Sequence, residues 1–220
     1  MLVRRLALFT LLLALTAGAT ACDKSGEPLV GSGVGAKRTL ELGPFSKLQV
    51  SGAFDVTLNV GKREPLEVRG DDNLLPHVTA KLEGDRLVIT LDRAVKRKQP
   101  LRIDVGTEAL QALTVGVAAK AHVQGVKAEH LELRAAGAAE IVAKGSSGSL
   151  DVATKSAARV DLSEFSTASA VVSAADASRI KLGHVERLKV TQSGLSQVRY
   201  RGEPTLEQNV QKPARLVREP

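Results

Sequence analysis

From Leu48 onward, apolar and polar residues alternate in short runs, as in Leu48-Gln49-Val50, Leu131-Glu132-Leu133 and Arg179-Ile180-Lys181-Leu182. A period of two puts successive side chains on opposite faces of an extended chain, so the pattern predicts half-buried β-strands, and no helical period fits between them. The alternation itself recurs. Leu113, Leu131, Leu150, Ala170, Leu188 and Leu206 head six units, with steps of 18, 19, 20, 18 and 18 residues. Ten positions into the units stand Val123, Ile141, Val160, Ile180, Val198 and Leu216, and eight positions in stand the small residues Ala121, Ala139, Ala158, Ser178, Ser196 and Ala214. Each unit holds two short strands, separated by a small-residue corner such as Ala136-Gly137 or Ser193-Gly194. A turn such as Gly145-Ser146-Ser147-Gly148 or Gly202-Glu203-Pro204 closes it. Strands that recur in one direction at this interval pair in parallel. The expected fold is all-β: a right-handed parallel β-solenoid with rungs of 18–20 residues, stacked about 4.8 Å apart.

The first half is less regular. Leu48-Gln49-Val50 and Val56-Thr57-Leu58 flank the corner Ser51-Gly52-Ala53, and Leu66-Glu67-Val68, 18 residues after Leu48, reads as a continuation of the coil. Leu87 to Leu91 and Leu101 to Val105 read as strands, Leu82 to Leu87 as a hairpin turn, and Asp72 to Val78 as a short helical turn limited by Pro76. On this pattern lies a family resemblance. The stretch Gly43-Pro44-Phe45-Ser46-Lys47-Leu48-Gln49-Val50-Ser51-Gly52-Ala53-Phe54-Asp55-Val56 is similar to the opening of the head GIN domain family, named as the head of an auto-transporter adhesin. Asp72-Asn73-Leu74-Leu75-Pro76 followed by Leu87-Val88-Ile89 resembles its second segment, and Tyr200-Arg201-Gly202-Glu203-Pro204 its closing motif. The resemblance covers Arg38 to Val217. It departs at the corners, where the family favours Ser-Gly-x-Gly and this chain has Gly116-Val117-Ala118, Ala136-Gly137-Ala138, Lys155-Ser156-Ala157 and Ala174-Ala175-Asp176. It implies a right-handed β-solenoid with no established enzymatic activity.

Composition supports a thin interior. Phe9, Phe45, Phe54, Phe165 and Tyr200 are the only aromatic residues, so a core must be built from Val, Leu, Ile and Ala. Met1 to Arg5 carries two arginines, Leu6 to Leu15 is apolar, and Thr16 to Ala21 is small. That is the order of an export signal, and its apolar run is too short for a bilayer span, which needs about 20 residues. The segment resembles a bacterial lipoprotein signal peptide, because the small residues end at Cys22, the single cysteine, although Ala19 stands where that family prefers Leu or Val. The resemblance implies cleavage after residue 21 and lipid attachment at Cys22. Residues 22–37 then form a lipid-attachment site and flexible tether, containing Pro28 and Gly31-Ser32-Gly33-Val34-Gly35, and residues 38–220 the solenoid. A phosphate-cradling loop is the alternative for those glycines, but no strand precedes them and no helical pattern follows. The implied location is the bacterial cell envelope, on the inner or outer membrane, with the solenoid in the periplasm or at the cell surface.

The chain is basic, with a formal charge of +7. This favours anionic partners such as lipopolysaccharide, acidic glycans or lipid head groups. Nucleic acid is not expected, since aromatic stacking platforms are missing. In the repeat frame Arg159 stacks over Arg179, beside Asp161 and Lys181, with Arg199 next. Arg159, Arg179, Lys181 and Arg199 are therefore the candidate anion-binding stripe, although such a row also suits a solvated strand face. A second basic run, Arg93 to Arg102, belongs to a loop that could touch anionic lipid. His77, His122, His130 and His184 show no metal-ligand spacing, and no cofactor is implied. Asp151, Asp161 and Glu140 are scattered rather than gathered in a groove. The leading expectation is a non-catalytic envelope lipoprotein whose solenoid binds or spaces something. The alternatives are a carbohydrate-active β-helix lyase or hydrolase and a membrane-surface sensor.

Overall fold

A computed structural model describes residues 27–219. They form seventeen strands and one 3-10 turn. The strands are β1 (Leu29–Val30), β2 (Gly35–Leu40), β3 (Lys47–Ser51), β4 (Phe54–Val60), β5 (Glu64–Asp71), β6 (Val78–Glu83), β7 (Arg86–Leu91), β8 (Val95–Lys96), β9 (Leu101–Thr107), β10 (Ala112–Gly116), β11 (Lys120–Ala135), β12 (Glu140–Thr154), β13 (Arg159–Ala174), β14 (Arg179–Gln192), β15 (Gln197–Arg201), β16 (Thr205–Val210) and β17 (Arg215–Glu219). The helical turn, Leu75–His77, contains Pro76 and falls where the sequence placed it. All strands except β1 and β8 belong to one fifteen-stranded sheet that coils into a parallel β-solenoid.

From β11 to β17 the register follows the repeat. Leu131, Leu150, Ala170, Leu188 and Leu206 stack in one column, and Ile141, Val160, Ile180, Val198 and Leu216 in another. The first unit is the exception. Leu113 pairs with Leu133, not Leu131, and Ala121, not Val123, stands below Ile141. The small column likewise begins at Ala119, whose carbonyl accepts from the Glu140 amide at 3.0 Å. A slip of two residues keeps every side chain on its face, so apolar alternation is blind to it.

The predicted turn at Gly145-Ser146-Ser147-Gly148 is instead a third short side of the coil. There Val126, Gly145 and Phe165 stack, as do Lys127, Ser146 and Ser166, after a register shift. Gly145 has φ of 139°, and a Cβ there would lie 2.2 Å from the Val126 carbonyl oxygen. Turn composition thus marks a tight bend across which the ladder continues. At the opposite corner the chain enters the left-handed region in five successive rungs, at Val117, Gly137, Ser156, Asp176 and Gly194, with φ between 59° and 75°. Ladder bonds run up this corner, Ala138 N to Val117 O at 2.6 Å, Ala157 N to Gly137 O at 2.9 Å and Ala177 N to Ser156 O at 3.0 Å.

The N-terminal half stacks out of chain order. Strand β3 lies between β7 and β10, and β4 between β9 and β11. The β7–β9 rung, later in sequence, therefore sits beneath the β3–β4 rung. The stretch Leu66-Glu67-Val68, expected to continue the coil, lies in β5, which runs antiparallel to β9; β2 is antiparallel to β5, and β6 to β7. Alternation is the same for either strand direction, so the pattern alone left the orientation open. These antiparallel strands close the end of the solenoid over Phe54, Leu66, Val68, Leu74 and Ile103, all fully buried.

Residues 29–37, read as tether, are part of this closure. Strand β1 pairs with β8 and β2 with β5. Between them, Gly31-Ser32-Gly33 wraps the fully buried Asp71. The Asp71 Oδ1 accepts from Gly33 N at 2.8 Å, and Oδ2 from Lys98 N at 2.9 Å and Gln99 N at 3.0 Å. A Cβ at position 31 would fall 2.2 Å from Oδ2, so only glycine allows the approach. The Gly33 amide that a phosphate-cradling loop would offer to a ligand is engaged by an internal carboxylate. The export signal and Cys22 lie outside the described residues.

Candidate functional site

Each rung presents the alternate residues of its first side outward, and parallel register stacks them into rows. One row reads Arg102, Asp55, Lys120, Glu140, Arg159, Arg179, Gln197 and Arg215. The neighbouring row reads Asp104, Thr57, His122, Val142, Asp161, Lys181, Arg199 and Val217. Signs alternate along the first row up to Glu140, and Lys120 meets Glu140 at 3.9 Å. At Arg159 and Arg179 the alternation breaks. Two guanidinium side chains occupy adjacent rungs, with no ion-pair partner among the described residues.

All four residues of the predicted stripe lie on this face, but they are not equivalent. Arg159, Arg179 and Lys181 line one shallow groove of about 250 Å³ together with Glu140, Val160 and Asp161. Lys181 leans toward Asp161 at 3.9 Å. Arg199 lies one rung further on and pairs with Glu219 at 3.2 Å, a carboxylate it shares with Arg201 at 3.7 Å. The groove therefore carries three cations and two carboxylates, with neither arginine in an ion pair among the described residues. Burial alone would raise the Asp161 carboxyl. Hydrogen bonds from the Ser163 hydroxyl and amide and the charges of Lys181 and Arg201 outweigh it and hold the carboxyl below its ordinary range. It is an anion that keeps Lys181 in place, and it also limits how much negative charge the groove can accept.

The first rung carries Lys120 where the sequence frame put His122, a consequence of the two-residue slip. Lys120, Arg102 and Asp55 were missed for that reason: the row's continuity across β9, β4 and β11 depends on pairing that the chain order hides. The other acids do not converge. Asp151 lies on a different side of the coil, with His130 at 3.7 Å. His77 approaches Asp92 at 3.0 Å, near the closed end. Among the described residues, no group of three or more His, Cys, Asp or Glu is arranged to hold a metal ion. No described helix is long and apolar enough to cross a membrane.

Comparison with known proteins agrees with this architecture. The family model described as "Putative auto-transporter adhesin, head GIN domain" matches residues 44–204. No curated protein matches the chain. The crystal structure of a putative adhesin from Bacteroides fragilis NCTC 9343 superposes with a TM-score of 0.70 at 14% identity, covering 86% of this chain and 98% of that one. A structure from Parabacteroides distasonis ATCC 8503, described as a putative lipid binding protein, gives 0.57 at 14% identity, covering 88% and 100%. A putative adhesin from Parabacteroides merdae ATCC 43184 gives 0.54 at 14% identity, covering 89% and 100%. At such identity the likeness is one of fold.

Proposed function

The chain belongs to the head GIN domain family, and from that premise we propose that it is a non-catalytic binding module of the bacterial envelope, a lipoprotein attached through Cys22. Its ligand is an anionic polymer such as lipopolysaccharide or an acidic glycan. One observation carries this reading: Arg159 and Arg179 stand on adjacent rungs of a groove without an acid partner among the described residues. Parallel rungs repeat at about 4.8 Å, so guanidinium groups can meet successive charges of a linear polyanion. Each exposed contact is weak and screened by salt within about 8 Å, and several acting together give useful affinity.

The test uses the exported form, residues 22–220 with Cys22→Ser, and lipopolysaccharide or polygalacturonate as probe. Binding falls steeply with salt and is lost in Arg159→Glu/Arg179→Glu. Arg199→Glu has a smaller effect, because that charge is already paired. Unchanged affinity in the double variant would sink the proposal. Anchoring is tested apart. The full chain takes up labelled fatty acid and partitions into detergent, whereas Cys22→Ser does neither.

A further inference from the structure

We infer that the closed N-terminal end of the solenoid is a membrane-docking face, which sets Val30, Val34 and a basic rim against an anionic phospholipid bilayer. Part of the argument rests on the proposed lipid at Cys22. Leu29 follows Cys22 by 7 residues, and a chain of that length spans at most about 25 Å when extended. An anchored solenoid thus keeps this end near the bilayer surface.

The surface there suits that neighbour. Val30 and Val34 are 51% and 60% exposed, on a segment with no helix or core demand for them. Val30 pairs in register with Lys96. The Lys98 ammonium lies 3.3 Å from the Ser32 carbonyl oxygen, two residues from either valine. Beyond Val34, Lys37, Arg69 and Arg102 occupy one cross-strand row. With Gly35, Gln99 and Pro100 they line a groove of about 560 Å³, large enough for a lipid head group.

The acids beside the groove are already engaged, whereas Glu27, two residues before Leu29, is exposed and has no ion-pair partner among the described residues. Glu67 pairs with Lys37 at 3.2 Å and with Arg69, and Asp104 lies 3.5 Å from Arg69. Asp72 accepts from the Ser32 hydroxyl, and Asp71 is buried. Lys96, Lys98 and Arg102 have no ion-pair partner among the described residues. The Asp71 clamp joins the valine-bearing loop to the lysine-bearing loop, so apolar and basic groups are presented together. Shallow apolar insertion beside cations is how a peripheral surface adds to a lipid anchor.

The exported form with Cys22→Ser is sedimented with phosphatidylcholine vesicles made with and without phosphatidylglycerol. Binding requires phosphatidylglycerol, and Lys96→Glu/Lys98→Glu/Arg102→Glu weakens it by at least about a hundredfold. Val30→Ser/Val34→Ser weakens it less, and Arg159→Glu/Arg179→Glu leaves it intact, with circular dichroism confirming the fold of each. Equal binding to neutral vesicles, loss only in the Arg159/Arg179 variant, or full competition by inorganic phosphate at constant ionic strength would each overturn the inference. Fatty-acid labelling of the full chain separates the two claims. Cap-dependent binding without labelling removes the anchor alone, and labelling without cap-dependent binding removes the docking face alone.

Discussion

The two halves of the solenoid are built from different material. Before Ala119 the buried apolar residues are Leu, Val, Ile and Phe, with no alanine among them. From Ala119 onward alanine recurs in the interior, at Ala119, Ala121, Ala135, Ala139, Ala143, Ala158, Ala170 and Ala174. Polar residues join them. The Thr154 hydroxyl donates to Ser178 Oγ at 2.8 Å, which donates to the Ala175 carbonyl at 2.8 Å. Gln192 Nε2 donates to the Arg215 carbonyl at 3.1 Å, while its Oε1 has no partner. The first half encloses larger side chains and closes its end with antiparallel strands. The second is a narrow coil in which neighbouring rungs supply most of each other's contacts. Burial of large aliphatic area stabilises more than burial of methyl groups, at about 25 cal/mol per Å². The first half is thus the stable base, and the second a platform whose outward rows are free to vary.

A narrow coil has no room for a charge, which makes the largest effect easy to place. Val160 is 2% exposed and sits between Ile141 and Ile180. Val160→Asp should cost more than about 4 kcal/mol and prevent folding of the later rungs. Its outward neighbour Asp161→Asn should cost less than about 1 kcal/mol, since an amide oxygen can still accept from Ser163. Equal melting temperatures for the two would show that the rung interior is not closed to water.

The base should instead be sensitive to acid. Backbone donation from Gln99 is the largest cause holding the Asp71 carboxyl below its ordinary range, and it prevails over burial with help from Lys98 and Gly33. Glu67 is lowered by Lys37 and Arg69, and Asp85 by Lys47 and Ser46. A carboxyl depressed in the folded state stabilises fully above its unfolded pKa, and that stability is lost as pH falls through the folded value. Amide exchange at residues 29–35 and 96–99 should therefore quicken below about pH 4, and more than in the later rungs, where Asp161 is the one carboxyl held low. Asp71→Asn should already show the faster exchange at neutral pH. Uniform loss of protection along the chain would break the distinction between the halves.

The smallest effect is a gain. Val117 carries a β-branched side chain at φ 62°. Val117→Gly should raise stability by about 1 kcal/mol, seen as a higher melting temperature. Gly137→Ala should lower it, because a Cβ there would lie 2.7 Å from the Val117 carbonyl oxygen.

The contrast also sets what was legible in the sequence. Columns headed by Leu131 and Ile141 were readable because parallel stacking repeats the same environment at near-constant spacing. The first unit was misplaced by two residues because period two cannot register an even slip. Direction in β5 and the interleaving of β3 with β7 depend on contacts between segments distant in the chain. The glycines of residues 31–35 looked like linker because their partner, Asp71, lies some 40 residues away. Arg159 and Arg179, and Lys181 beside Asp161, were found by column, but that Arg199 pairs with Glu219 depends on side-chain geometry.

The interleaved base has a consequence for assembly. A rung of a solenoid is templated by the one before it, so growth needs a finished surface. Here the earliest rung, β3–β4, has partners on both sides that come later in the chain, β7–β9 and β10–β11. It cannot serve as a seed until about residue 124 has been synthesised, and loop closure over that distance precedes the reward. Once the seed forms, one end is sealed by β2 and β6 and elongation has a single direction. Rungs can then be added or lost at the far end without disturbing the seed, a ratchet by which such a protein can change its reach while keeping its foundation.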